Sequence, residues 1–307
     1  MKKRPTPSPV TDVHVPRTRE QEEQHAKITA KLEEKNSERG VFADSALHFV
    51  NGIAYCSEGS RPDTNHAINN LQKKSASWDR EADRLLDWLF GYLDQTKEKV
   101  LQGYVNSRDV LTGDLYILVQ TDASHAPDAK TRRSVGAINV YLKGPRTSVL
   151  LLSKTVTIPV VTLSSSESEL AIAQLGTKYA IKCKMMLDLL LGVEHPDFDT
   201  VFDKGFFIGL EMDAMAAIAA IRRANSTKVG HVRRTVGVSL FWMHEVYCQS
   251  TNAWLRHRKG TDLTADAGTK SLSEEILLRH LRTMGVRKIQ ERHHPQDFPE
   301  DEELQVS

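Results

Sequence analysis

Tyr116-Ile117-Leu118-Val119-Gln120-Thr121-Asp122-Ala123 is the stretch on which the fold turns. It is too short for a helix and rich in Ile, Leu and Val, the mark of a strand buried on both faces. At its far end stands a carboxylate, Asp122, where the strand is expected to open into the turn-like Ser124-His125-Ala126-Pro127-Asp128. Functional groups in open α/β sheets lie outside the carboxyl ends of such strands. Taken alone, Asp122 reads first as a cap on that turn.

Outward from this strand the pattern predicts others at about 100–105, 134–142 and 147–153, with Lys143-Gly144-Pro145-Arg146 as the turn between the last two. Strands so closely spaced predict an antiparallel meander. Then follow a long helix over about 165–191, a strand near 206–212, a helix to about 223, another over 231–249, a strand at 252–256 and a last helix over 274–284. Strands first and then alternating helices and strands predict an α/β fold, a mixed sheet with helices on its faces. Residues 101–288 form this domain.

Upstream, residues 44–100 read as a small helical subdomain. Ala46, Phe49, Val50, Ile53 and Ala54 repeat with helical period, Arg61-Pro62-Asp63 opens a second helix, and Ser77 is a candidate cap for a third, lined by Leu85, Trp88, Leu89, Tyr92 and Leu93. Residues 1–43 have few apolar side chains to bury and read as a disordered arm, and 289–307 as a disordered acidic tail.

Bulk properties narrow the function classes. Lys plus Arg number 41 against 40 Asp plus Glu, so any nucleic-acid surface must be local. The cysteines Cys56, Cys183 and Cys248 are odd in number and widely spaced, which fits reduced thiols in an intracellular protein, cytoplasmic or nuclear, better than a disulfide framework. No apolar run approaches a membrane span, so no membrane partner is expected.

Four acids carry the chemical reading. On the long helix, steps of three and four from Glu169 reach Ile172, Leu175, Tyr179, Cys183, Met186 and Leu190, a core-facing stripe, so Glu169 is expected to point at the sheet. From Glu167 the same steps reach Ala171, Gln174, Lys178 and Lys182, a solvated face, and Ser164 stands three before it as in a capping box. Asp213 ends the apolar strand and precedes an Ala/Ile helix, where it reads equally as an N-cap. Asp266 follows the strand Trp254-Leu255-Arg256 by a loop, and alone it reads as a solvated loop acid. As a set, two strand ends, a helix start and a loop can converge on one edge. Clustered carboxylates raise each other's pKa unless divalent cations compensate, and an oxygen-rich site suits Mg²⁺ or Mn²⁺.

Several motifs occur in order: Thr121-Asp122-Ala123 followed by Thr131-Arg132-Arg133-Ser134; Leu163-Ser164-Ser165-Ser166-Glu167-Ser168-Glu169-Leu170; Met212-Asp213; and Ala265-Asp266-Ala267-Gly268-Thr269-Lys270. Together they resemble the ribonuclease H domain of copia-type retrotransposon polyproteins. Gly52-Ile53-Ala54-Tyr55, Arg61-Pro62-Asp63-Thr64 and Trp88-Leu89-Phe90-Gly91-Tyr92-Leu93 are similar to the C-terminal end of the preceding reverse transcriptase. The resemblance covers roughly residues 46–285. It implies a ribonuclease H-like mixed five-stranded sheet and cleavage of the RNA strand of an RNA/DNA hybrid with two Mg²⁺ ions, Mn²⁺ being an alternative. Asp122, Glu169, Asp213 and Asp266 would be the catalytic metal ligands, and the remaining reverse transcriptase domains would be partners. Arg132, Arg133, Arg256, His257, Arg258 and Lys259 are candidates for phosphate contacts.

The sequence departs from the family where Arg234-Thr235-Val236-Gly237-Val238-Ser239 replaces a more polar run, and where Ala214 follows Asp213. Nothing upstream supplies a polymerase's acidic motif, so DNA synthesis is not expected. The rival reading from another class is a lapsed or domesticated remnant that binds nucleic acid without cleaving it.

Overall fold

The computed structural model describes residues 4–9, 38–127, 131–195, 199–202, 204–225 and 237–289. The chain divides into two compact units, one of Met1–Lys97 with Ser271–Leu277, the other of Glu98–Lys270 with Leu278–Ser307.

Among the described residues the first unit is built on the helices α1 (Ala46–Ser60), α2 (Asn65–Lys74) and α3 (Arg80–Gln95). Their apolar faces meet in a core of Ala46, Val50, Ile68, Leu71, Leu86 and Leu89. Arg61 and Tyr92 close on the buried carboxylate of Asp63, with Arg61 donating at 3.0 and 2.7 Å and the Tyr92 hydroxyl at 2.6 Å. The cap of α3 is Asp79, whose carboxylate accepts from Ala82 N at 2.7 Å, and not Ser77. Ser77 is spent on the preceding helix, since its amide donates to Lys74 O. Within the expected N-terminal arm, Arg4 pairs with Asp87 at 2.7 Å and Thr6 O accepts from Trp88 Nε1 at 2.8 Å. Residues 1–3, 10–37 and the tail from 290 lie outside the described residues.

In the second unit a short strand β1 (Lys99–Leu101) and a helix α4 (Ser107–Thr112) precede the sheet. Then come β2 (Tyr116–Ser124), β3 (Val135–Gly144) and β4 (Thr147–Thr157). After helix α5 (Ser165–Leu190) and β5 (Phe207–Met212) come α6 (Met215–Arg222), α7 (Leu240–His244) with a π-helical turn Glu245–Gln249, and β6 (Ala253–His257). The five-stranded sheet has the order β4-β3-β2-β5-β6. β2, β3 and β4 pair antiparallel, β3 and β4 through a tight turn, while β5 and β6 continue parallel to β2 and need the helical crossovers. The expected α/β fold, a mixed five-stranded sheet flanked by helices after a helical N-terminal region, is the fold observed.

Three local expectations are corrected. The strand expected at 100–105 lies outside this sheet: β1 pairs with a last strand, β7 (Val286–Lys288). β2, expected over about 115–121, runs on through Asp122 to Ser124, because β3 continues beside it and Ser124 is still in register with Val135. The helix expected over 231–249 begins at Leu240, with residues 226–236 outside the described set. Its start is held by the Ser239 hydroxyl, which accepts from Trp242 N at 3.2 Å, and by Gln174, whose amide bonds Ser239 N at 2.7 Å and Gly237 O at 3.0 Å.

α5 approaches the sheet closely through small residues. A Cβ on Gly176 would stand 2.9 Å from Thr121 Cγ2 and 3.0 Å from Val119 Cγ1. The inward stripe therefore runs through Ala173, Thr177, Ala180 and Ile181, whereas Met186 and Leu190, expected in the core, are exposed. Small side chains let the helix axis near the sheet, and the bulkier neighbours turn outward. The stripe ends in polar groups: buried Lys184 pairs with Asp188 at 2.7 Å, and Asp188 also meets His195 Nε2 at 2.7 Å and Phe206 N at 3.0 Å.

Candidate metal centre

One edge of the sheet gathers the acids. Asp122 projects from β2 in register with Ala137 of β3. Asp213 stands directly after β5, and it is not the N-cap of α6: that position is Ala214, with no side-chain cap bond. Asp266 opens a short helix, α8 (Asp266–Thr269), within a segment that packs Leu263 and Ala265 on Ala137. Oxygens of Asp122, Asp213 and Asp266 all lie within 4.8 Å of one another. Asp122 is buried and the Asp266 side chain is only 13 % exposed.

Glu169, on the first turns of α5, is not one of the three carboxylates that come within 4.8 Å of one another, but it lies near enough for the charges of Asp122 and Asp213 to act on it. The start of α5 is held by a variant of the capping box: the N-cap Ser164 Oγ accepts from Glu167 N at 3.2 Å, and Glu167 Oε2 accepts from the N–H of Leu163, the residue before the cap, at 2.5 Å. Glu167 is thus a buried capping residue, where a solvated face was expected. Glu169 is 6 % exposed; its Oε1 accepts from Ala123 N at 3.2 Å, and among the described residues its Oε2 has no partner. An orphaned carboxylate oxygen beside other acids is costly without a cation.

The electrostatics agree. Burial, then the charges of Asp122 and Asp213, push the Glu169 carboxyl up to about 9. Burial and Asp122 push Asp266 up to about 6, and the same two causes raise Asp213. Lys270 is the compensating charge, its ammonium 2.8 Å from Asp266 Oδ1 and 3.5 Å from Asp122 Oδ1. Burial works against that ammonium, but the bond to Asp266 and the three aspartate charges outweigh it and raise its pKa. The Thr269 hydroxyl donates to the other oxygen of Asp122.

An all-oxygen set of three converging aspartates with a fourth carboxylate carrying a free oxygen has the composition of a hard divalent-cation site. One backbone must stay bare to admit it. A Cβ on Gly260 would stand 3.0 Å from Asp213 Oδ2. No family model matches the chain, and neither does any curated protein.

The six basic candidates are placed differently from one another. Arg132, Arg133 and Lys259 are exposed, with Arg132 in the left-handed backbone region. His257, also exposed, ends β6 and acts electrostatically on Asp213. Arg256 and Arg258 are instead engaged by the buried Glu211 carboxylate, Arg256 at 2.6 Å and Arg258 at 3.4 Å, with Gln120 on its other oxygen at 2.7 Å. The guanidinium of Arg256 also stacks over Trp254.

Sequence reasoning passed over Gln120, Glu211, Gly260, Thr269 and Lys270. Two signals were readable: an acid, Glu211, inside an apolar strand, and Lys270 four residues after Asp266, the spacing of a helical ion pair.

Proposed function

We propose that the chain is a metal-dependent endonuclease that cuts the RNA strand of RNA/DNA hybrids, a fragment of a copia-type retrotransposon polyprotein covering the end of reverse transcriptase and the ribonuclease H domain. The observation that carries this reading is the convergence of Asp122, Asp213 and Asp266 on one sheet edge, with Glu169, whose Oε2 has no partner among the described residues, within range of the charges of Asp122 and Asp213. A sheet with three antiparallel strands continued by two parallel ones supports it, as do the ordered motifs.

In this reading the four carboxylates would hold Mg²⁺ or Mn²⁺. Such ions, when bound, activate water and stabilise the leaving oxygen in phosphodiester hydrolysis. The chain's own groups do the rest. Thr269 orients Asp122 by donating to one of its oxygens, and Gln120 with Thr264 fixes the segment bearing Asp266. The exposed charges of Arg132, Arg133 and Lys259 would draw hybrid phosphates, with little dependence on sequence. Arg256 and Arg258, tied to Glu211, serve first to hold β6 on β5.

The deciding experiment is Mg²⁺-dependent cleavage of a labelled RNA/DNA hybrid by the chain and by Asp122→Asn. The expected loss in the variant exceeds about a hundredfold, beyond what removal of a supporting residue costs. No cleavage by the parent, or equal cleavage by both, would falsify the enzyme reading. Salt-dependent hybrid binding with no turnover would mark a binding protein instead.

A further inference from the structure

We propose that Lys270 is a built-in counter-ion that competes with divalent cations for the carboxylates of Asp122 and Asp266. The inference rests on the metal-site reading and concerns how that site is regulated from within.

The geometry is that of a cation already seated among the acids. The Lys270 ammonium lies 2.8 Å from Asp266 Oδ1 and 3.5 Å from Asp122 Oδ1. Thr269, the adjacent residue, takes the opposite oxygen of Asp122, so the carboxylate keeps its orientation from Thr269 when Lys270 leaves. The ammonium completes the cluster only in part. It brings one positive charge and three donors, and Glu169 Oε2 remains without a partner among the described residues. A divalent ion brings twice the charge and takes about six oxygen ligands. Both cations claim the same aspartate oxygens, so one must give way. The Lys270 side chain is 45 % exposed, on a flexible stem, and can swing to solvent where the aspartates cannot.

A supporting role makes the opposite prediction. If Lys270 only orients the aspartates, removing it weakens cation binding; if it competes, removing it strengthens binding.

The test measures Mn²⁺ binding to the full chain by calorimetry and by the loss of the free-ion paramagnetic resonance signal, for the parent, Lys270→Gln, Lys270→Arg and Asp122→Asn at one pH. Lys270→Gln should bind Mn²⁺ about tenfold more tightly, the size expected for a close charge pair. Without divalent cation it should melt below the parent. Lys270→Arg, which keeps the charge, should stay near the parent, and Asp122→Asn should bind poorly. Equal or weaker binding by Lys270→Gln, in a parent that does bind, overturns the competition and leaves the metal site standing. Absence of Mn²⁺ binding from parent and variant alike overturns both. Lys270→Met serves as a second neutral variant where circular dichroism shows that Lys270→Gln has not folded.

Discussion

The side-chain oxygen of Gln120 accepts both the hydroxyl and the backbone N–H of Thr264, at 2.6 and 3.2 Å, across 144 residues of chain. The Tyr141 hydroxyl and the Asn139 amide meet the same threonine hydroxyl at 2.5 and 2.9 Å. This buried cluster pins the segment carrying Asp266 onto the strand carrying Asp122. Thr264→Val keeps the shape but strips the hydroxyl, leaving buried Gln120 and Tyr141 groups short of a partner. Chemical denaturation should show a loss of about 2–3 kcal/mol, and Mn²⁺ affinity should fall with it. Thr264→Ser should restore most of both; a valine variant with parental stability would remove the cluster from the account.

Proton competition at Glu169 sets a pH dependence. With the carboxyl raised to about 9, the group is protonated near neutrality and must release that proton to act as a ligand. Apparent cation affinity should therefore rise by about tenfold per pH unit from neutrality toward 9. Glu169→Gln should flatten that slope. In the cation-free protein the sign for stability is the reverse. The folded state holds a proton that the unfolded chain has lost above its ordinary 4.5, so stability falls as pH rises from there through 9. A slope that does not change in Glu169→Gln removes this assignment.

Gly260 is needed for clearance. Its alanine variant would place a Cβ 3.0 Å from Asp213 Oδ2 and 3.9 Å from Asp266 Oδ2. The Asp213 carboxylate must shift by a few tenths of an ångström, and cation affinity should drop by roughly tenfold with little change in melting temperature. Parental affinity in Gly260→Ala would show that the acids have slack at this point.

A second pH effect is expected at His280, on helix α9 (Glu274–Met284). It is buried, and burial and then Arg279 lower its pKa from 6.5 to about 4, against a weaker opposing pull from Asp262. The unfolded chain binds the proton first, so stability is lost as pH falls from 6.5 toward 4, by up to about 3 kcal/mol. His280→Leu should remove much of that acid sensitivity in urea titrations at stepped pH. An unchanged profile would assign the acid loss elsewhere.

Local pattern was sufficient for the strands of the sheet, the long helix α5 and the three aspartates that come together. The apolar runs mark the strands of the sheet because strands buried on both faces are dominated by Ile, Leu and Val, and the Ala/Ile run after Asp213 marks α6. Asp122 near the end of one apolar strand, Asp213 directly after another and Asp266 in the loop beyond a third could be placed along the linear chain, which is why their convergence on one edge could be expected. The stripe on α5 was misjudged because hydrophobicity ranks Met186 and Leu190 above Ala173 and Ala180, while close helix–sheet approach rewards small side chains instead. Glu167 caps the helix start as its spacing from Ser164 suggested, but it is buried and not solvated, since the Leu163 N–H donates to its carboxylate.

Tertiary structure alone decided what surrounds the acids. Helical phase could aim Glu169 at the sheet, but an unpartnered Oε2 and a pKa near 9 arise from desolvation and neighbouring charge, which exist only after folding. Arg256 and Arg258 are a basic run in the sequence and a Glu211-bound brace in the fold, because their partner comes from the adjacent strand. Gln120, Thr264, Thr269 and Lys270 matter through contacts across the chain, with Thr269 meeting Asp122 over a separation of 147 residues. Strand and helix signals act over a few residues and can be read locally; charge balance at Asp122 is a sum over distant segments, and only their packing fixes it.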